Sequence, residues 1–101
     1  MKFMIISSWD DQAKLPGLAT KVAPIFSNPP EGIKRLCSYG VIGGYSVYGV
    51  YEVENEVAFF KFVAAIGIIG FNTEVIPVIE TEAGMKALFE QAKALSQSNL
   101  T

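Results

Sequence analysis

Few side chains in this 101-residue chain could do chemistry, and the missing types narrow the field further. There is no histidine and a single cysteine, Cys37. That removes Ser-His-Asp and Cys-His machinery, imidazole metal sites and a proximal histidine for haem. What remains is an aromatic set, Trp9, Tyr39, Tyr45, Tyr48 and Tyr51, together with Arg35 and the carboxylates Glu52 and Glu74. Trp9, Arg35, Tyr39, Tyr48 and Tyr51 are the candidate ligand-binding residues, because small-molecule sites combine apolar walls with a few donors and a charge. Tyrosines on strands also serve plain packing, with the ring buried and the hydroxyl at an edge. Glu52 and Glu74 are the candidate catalytic residues: a carboxylate desolvated among apolar strand neighbours has a raised pKa and can act as a general base. The alternative is that each reaches solvent or pairs with Arg35 or Lys34. Arg35 suits an anionic ligand group, or stands as a rim residue. No glycine-rich phosphate loop and no Cys-x-x-Cys pattern is present, so no cofactor and no metal is expected.

Those residues sit in an apolar chain. Half of the residues are hydrophobic and 18% are charged, more apolar than a small monomer needs for one core. The length predicts one domain, and the surplus predicts that some apolar surface is covered by a second subunit. The net charge is −2 with the basic residues dispersed, whereas phosphate-backbone binding needs a positive stripe, so nucleic acid is not expected as a partner. A lone Cys37, flanked by Leu36 and Ser38, reads as a small buried strand residue, and nothing points to an oxidising compartment. The apolar run at the amino terminus is too short for a secretory signal. The stretch from Phe62 to Phe71 is about half the length of a membrane span. A soluble, cytoplasmic protein without membrane contact is expected.

The elements follow from periodicity. Lys2 to Trp9 is a mostly apolar run without helical period, suited to a central strand. Asp10 or Asp11 caps a helix in which Leu15, Leu18, Val22, Ile25 and Phe26 share one face, with Pro16 in the first turn. The segment from Ser27 to Gly32 closes it. Ile33 to Ile42 alternates as a strand, with Ile33, Arg35, Cys37, Tyr39 and Val41 on one side. A tight turn at Gly43 and Gly44 leads into Tyr45 to Val53, where Tyr45, Val47, Gly49, Tyr51 and Val53 share a face. Asn55 caps a second helix that the glycine at 67 should stop, apolar around most of its circumference and so expected to be buried on two sides. Thr73 to Glu80 reads as an edge strand because Pro77 cannot donate to a ladder. Thr81 caps a last helix with an apolar stripe of Met85, Leu88, Phe89, Ala92 and Leu95, fraying from Ser96.

The order β-α-β-β-α-β plus a closing helix is the ferredoxin-like pattern of the α+β class, a single domain over residues 1–101 with one antiparallel four-stranded sheet. Helices cover one sheet face only, yet the strands are apolar on both. The bare face predicts a homodimer whose sheets pack face to face, or share strands, as a dimeric α+β barrel.

The segment Pro29-Pro30-Glu31-Gly32-Ile33-Lys34, the Gly43-Gly44-Tyr45 turn leading to Glu52, and Thr73-Glu74-Val75-Ile76-Pro77-Val78 with Glu80, Glu82 and Ala83 resemble an uncharacterised family. It is the 3303 type of domain of unknown function, found in short prokaryotic proteins. The resemblance spans nearly the whole chain and implies the dimeric α+β barrel fold. Members of that family tend to carry a tryptophan-histidine pair near the end of the second strand, where this chain has Tyr39 and Gly40. Any role of that histidine is therefore absent here, and the resemblance adds no activity.

Three functional readings follow. The first is a small dimeric protein that binds a small apolar or aromatic molecule, or merely assembles, without catalysis. The second is a cofactor-independent oxygenase or isomerase-like enzyme, with Glu52 or Glu74 as base and tyrosine hydroxyls steadying an enolate; its warrant is fold-level analogy. The third is a regulatory or interaction module. A convergent pocket with a buried carboxylate and two phenols favours the enzyme, and a sheet interface filled by side chains favours the scaffold.

Overall fold

The computed structural model describes residues 1–99. Its elements are β1 (Lys2–Ser8), a 3₁₀ turn (Gln12–Lys14), α1 (Leu15–Ser27), β2 (Ile33–Gly40), β3 (Ser46–Val53), α2 (Glu56–Ile69), β4 (Asn72–Val78) and α3 (Thr81–Asn99). The strands form one antiparallel sheet in the order β2-β3-β1-β4. This is an α+β fold of the ferredoxin-like kind, with an added C-terminal helix.

Local chemistry sets the helix ends. Asp11 Oδ1 accepts from the Ala13 N–H at 2.9 Å and caps the 3₁₀ turn that leads into α1. Pro16 sits in the first turn of α1, where a missing N–H is harmless. A second proline, Pro24, lies inside this helix on its exposed side. Asn55 Oδ1 accepts from the Ala58 N–H at 3.0 Å and caps α2, with Glu56 favourably placed in the first turn. Helix α2, expected to stop at Gly67, runs through it and ends at Gly70, whose φ of 131° ordinary residues avoid. A helix tolerates one glycine at modest cost; a positive φ is what ends it.

The core lies between one sheet face and the two helices α1 and α2. Ile5, Ile33, Tyr51 and Val53 from the sheet meet Val22 of α1 and Phe59, Phe62 and Ile66 of α2, with Trp9 and Phe71 closing one end. Phe3 stacks on Phe59 at 4.8 Å, and the Tyr51 and Phe62 rings meet edge-on at 5.3 Å. Only one face of α2 is buried. Val57, Phe60 and Ile68 are exposed, Phe60 by 75%, so the expected burial on two sides does not occur within one chain.

Two of the expected strand details change. The loop between β2 and β3 is wider than a two-residue turn, and of its glycines only Gly43 takes a positive φ, 76°. More consequentially, the register slips between Arg35 and Cys37, leaving Leu36 as an extra residue. Ile33 and Arg35 face the helices, but beyond the bulge Ser38 and Gly40 take that side, while Cys37 and Tyr39 turn to the other. Strict alternation assigns the opposite. Cys37 is accordingly half-buried on the open face rather than buried in the core.

That open face has no layer over it. Met4, Ile6, Tyr48, Val50, Ile76 and Val78 form a half-buried apolar surface across β3, β1 and β4. From its edge α3 projects away, about 28 Å long at 1.5 Å per residue. Its stripe of Met85, Leu88, Phe89, Ala92 and Leu95 is exposed, Phe89 by 66%. Fraying is expected from Ser96. Instead the helix continues to Asn99, and the last two positions of that tail lie outside the described residues.

The molecule is therefore long, 63 × 32 × 19 Å with a radius of gyration of 18.0 Å, where a compact domain of this length has about 13 Å. Its surface is 7176 Å²; a compact protein of 11.0 kDa exposes roughly 5,600 Å².

Candidate functional site

A glycine opens the space where polar side chains converge. Gly49 of β3 faces the helices between Ile5 of β1 and Ser38 of β2. With no side chain there, the Tyr51 ring leans over the glycine: a Cβ at 49 would stand 2.7 Å from Tyr51 Cε2. Beside it remains a cavity of about 20 Å³, bounded by Ile5, Ser7, Phe26, Arg35, Ser38, Val47, Gly49 and Tyr51. Tyr48 contributes main chain, since its side chain points to the opposite face.

The polar groups around this cavity have a common character. Ser7 is 2% exposed and Tyr51 3% exposed, and neither hydroxyl has a hydrogen-bond partner among the described residues. No side-chain oxygen or nitrogen among those residues is sealed away unpaired, so each hydroxyl keeps some accessible surface, and both residues line the cavity. Burial pushes the Tyr51 phenol above its ordinary pKa, and the nearby Arg35 charge offsets part of the rise. Tyr51 is thus a neutral donor at any ordinary pH. Arg35, directly opposite Tyr51 in the ladder, is exposed and forms the outer wall. It makes no ion pair among the described residues.

The five candidate ligand residues do not form one site. Arg35 and Tyr51 come together at this cavity. Tyr39 and Tyr48 are neighbours on the open face. Trp9 is buried at the far end of the core, its Nε1–H donating to Gln12 Oε1 at 2.8 Å and its ring 6.0 Å from Phe71. The carboxylates also lie on the open face. Glu52 pairs with the amino-terminal ammonium at 3.2 Å, and Glu74 is exposed on the edge strand. Glu74 is two strands from Tyr48, about 10 Å, and Glu52 four residues from it, about 13 Å along the strand. Neither distance permits a shared substrate proton within one chain.

Sequence reasoning missed Ser7, Ser38, Phe26 and Gly49. A glycine amid large strand residues was the available signal, since it often marks close approach of a neighbour. Ser38 could not be placed, because the bulge reverses its face.

A second, wider cleft of about 530 Å³ lies at the root of α3, lined by Met1, Lys2, Glu52, Pro77, Val78, Ile79, Glu80 and Ala83. Lys2 bonds Glu80 there, which holds the Glu80 carboxyl below and the Lys2 ammonium above their usual ranges. The cleft runs from the edge of the open sheet face, at Lys2, Glu52 and Val78, to Ala83 in the first turn of α3. Among the described residues, no helix is long and apolar enough to cross a membrane.

The family model described as "Domain of unknown function (DUF3303)" matches residues 1–92. The chain belongs to the DUF3303 family. No curated protein sequence matches this DUF3303 chain. Among solved structures it is similar to "De novo designed protein Foldit4", with a TM-score of 0.51 at 10% identity, covering 78% of this chain and 96% of that one. At that identity the likeness concerns the fold alone. Tyr39 is exposed on the open face of β2, and Gly40 lies opposite Val47 on the helix face.

Proposed function

We propose that this chain works as a homodimer, a dimeric α+β barrel that binds a small apolar or aromatic molecule without catalysis. The observation that carries the reading is the surface: 7176 Å² exceeds the compact expectation by about 1,500 Å². The open sheet face and the exposed α3 stripe contribute to that excess. Two chains burying that much each would form an interface of about 3,000 Å², within the range of obligate homodimers. Both surfaces carry equal numbers of acidic and basic side chains, Lys2 and Lys34 against Glu52 and Glu74, and Lys86 and Lys93 against Glu82 and Glu90. A second copy therefore meets no like-charged wall.

The ligand's place is the helix-side cavity and the shelf beside it. β2 is exposed along most of its length, so α1 leaves an opening between Phe26 and Arg35. The deep end admits one oxygen-sized group, and the remainder rests on the ring of Phe26 and the apolar walls. With no carboxylate lining the cavity, it offers binding without an evident base. The lone cysteine fits the cytoplasmic location that accompanies this reading.

Native mass spectrometry of the protein purified from its own host tests both parts. The expected species is a dimer carrying a reproducible small molecule released on denaturation. A monomer at micromolar concentration overturns the dimer, and an empty particle that takes up no small aromatic compound overturns the ligand.

A further inference from the structure

We propose that the end of the ligand held in the helix-side cavity is a carboxylate, received by the Arg35 guanidinium with the Tyr51, Ser7 and Ser38 hydroxyls. The inference rests on the binding reading above and names the ligand's chemical class, a small apolar or aromatic monocarboxylic acid.

The composition of the wall carries it. Every polar side chain at the cavity can donate a hydrogen bond, and no carboxylate or amide lines it. Arginine only donates; a phenol and two serine hydroxyls can each turn a proton inward. Such a set is satisfied by a group that accepts several hydrogen bonds at once, and an ionised carboxylate accepts about four. Arg35 brings a positive charge with no acidic partner among the described residues, and its planar fork matches a carboxylate in two parallel bonds. The acids of the sheet do not compete: Glu52 and Glu74 belong to the opposite face.

The geometry is built into the sheet. Arg35 and Tyr51 are direct cross-strand partners, which places their side chains next to each other. The bulge at Leu36 turns Ser38 to the same side, opposite Gly49. Phe62 holds the Tyr51 ring from above at 5.3 Å. At about 20 Å³ the cavity has room for one carboxylate oxygen and none for a ring, so the other oxygen stays at the mouth beside Arg35. The hydrocarbon part must stay at the mouth, beside Phe26 and the stem of Arg35. Selectivity therefore resides in the acid group and the shape of what adjoins it.

Benzoate and benzyl alcohol, titrated into ¹⁵N-labelled protein at constant ionic strength, separate the possibilities. Benzoate is expected to shift the amide signals of Ser7, Ser38, Gly49 and Tyr51 saturably, at concentrations about tenfold lower than benzyl alcohol needs. Arg35→Gln, at an exposed position, should erase that preference. Tyr51→Phe, which keeps the ring, should weaken benzoate alone. Equal affinity for the two compounds at those amides overturns the carboxylate and leaves the binding reading standing. No response of those amides to either compound overturns both. A benzoate preference unchanged in Arg35→Gln, or one confined to amides near Lys2, also overturns the carboxylate assignment.

Discussion

Gly49 is the residue on which the candidate site turns, because its missing side chain admits the Tyr51 ring and leaves the cavity beside it. In Gly49→Ala the new methyl would stand 2.7 Å from the ring, and the ring is held from the far side by Phe62. The expected result is a loss of about 1–3 kcal/mol of stability by overpacking, read by urea unfolding, with a changed near-ultraviolet tyrosine signal. Unchanged stability together with an unchanged tyrosine signal would mean that the ring does not occupy this position. At this scale the sequence was informative where side-chain parity is unbroken. Arg35 and Tyr51 fall on one side in both the alternation pattern and the structure, since the bulge comes just after Arg35. Ser38 and Cys37 lie beyond it and exchange faces. A single inserted residue leaves no mark in composition, so period-two reasoning had no means of placing them.

Among the elements, α3 needs the most explanation. A 19-residue helix without tertiary packing is only marginally stable in water, and α3 keeps its apolar stripe along one side with no layer of its own chain over it. A helix of that pattern calls for a cover, which in the proposed dimer is the second copy. Phe89→Asp places a charge in the middle of the stripe. The account expects it to shift the particle from dimer to monomer in analytical ultracentrifugation at micromolar concentration, with loss of helical circular dichroism. A variant with wild-type sedimentation and helicity would place the stripe outside the interface. The stripe itself was legible from the spacing of Met85, Leu88, Phe89, Ala92 and Leu95. Its partner was not, because periodicity says which face is to be covered and nothing about the chain that covers it. The same limit explains α2: its apolar circumference was plain, yet Val57, Phe60 and Ile68 have no cover within the chain.

At the scale of the whole molecule, the two sheet faces have different work. The helix-covered face holds the core and a small cavity with an arginine, a phenol and two serines. The open face carries an apolar surface that leads through a cleft to α3, along with Glu52, Glu74, Tyr39 and Tyr48. Strand order and element order were readable from the sequence, because two β-α repeats, a hairpin and an edge proline leave few alternatives. The elongation was not, since composition reports a surplus of apolar residues and not where the surplus lies. Small-angle X-ray scattering with absolute mass calibration tests the central claim of assembly most directly. A dimer gives a particle of twice 11.0 kDa at micromolar concentration. A particle of 11.0 kDa with a radius of gyration near 18.0 Å would contradict it, because α3 and the open sheet face would then stand in water without a partner.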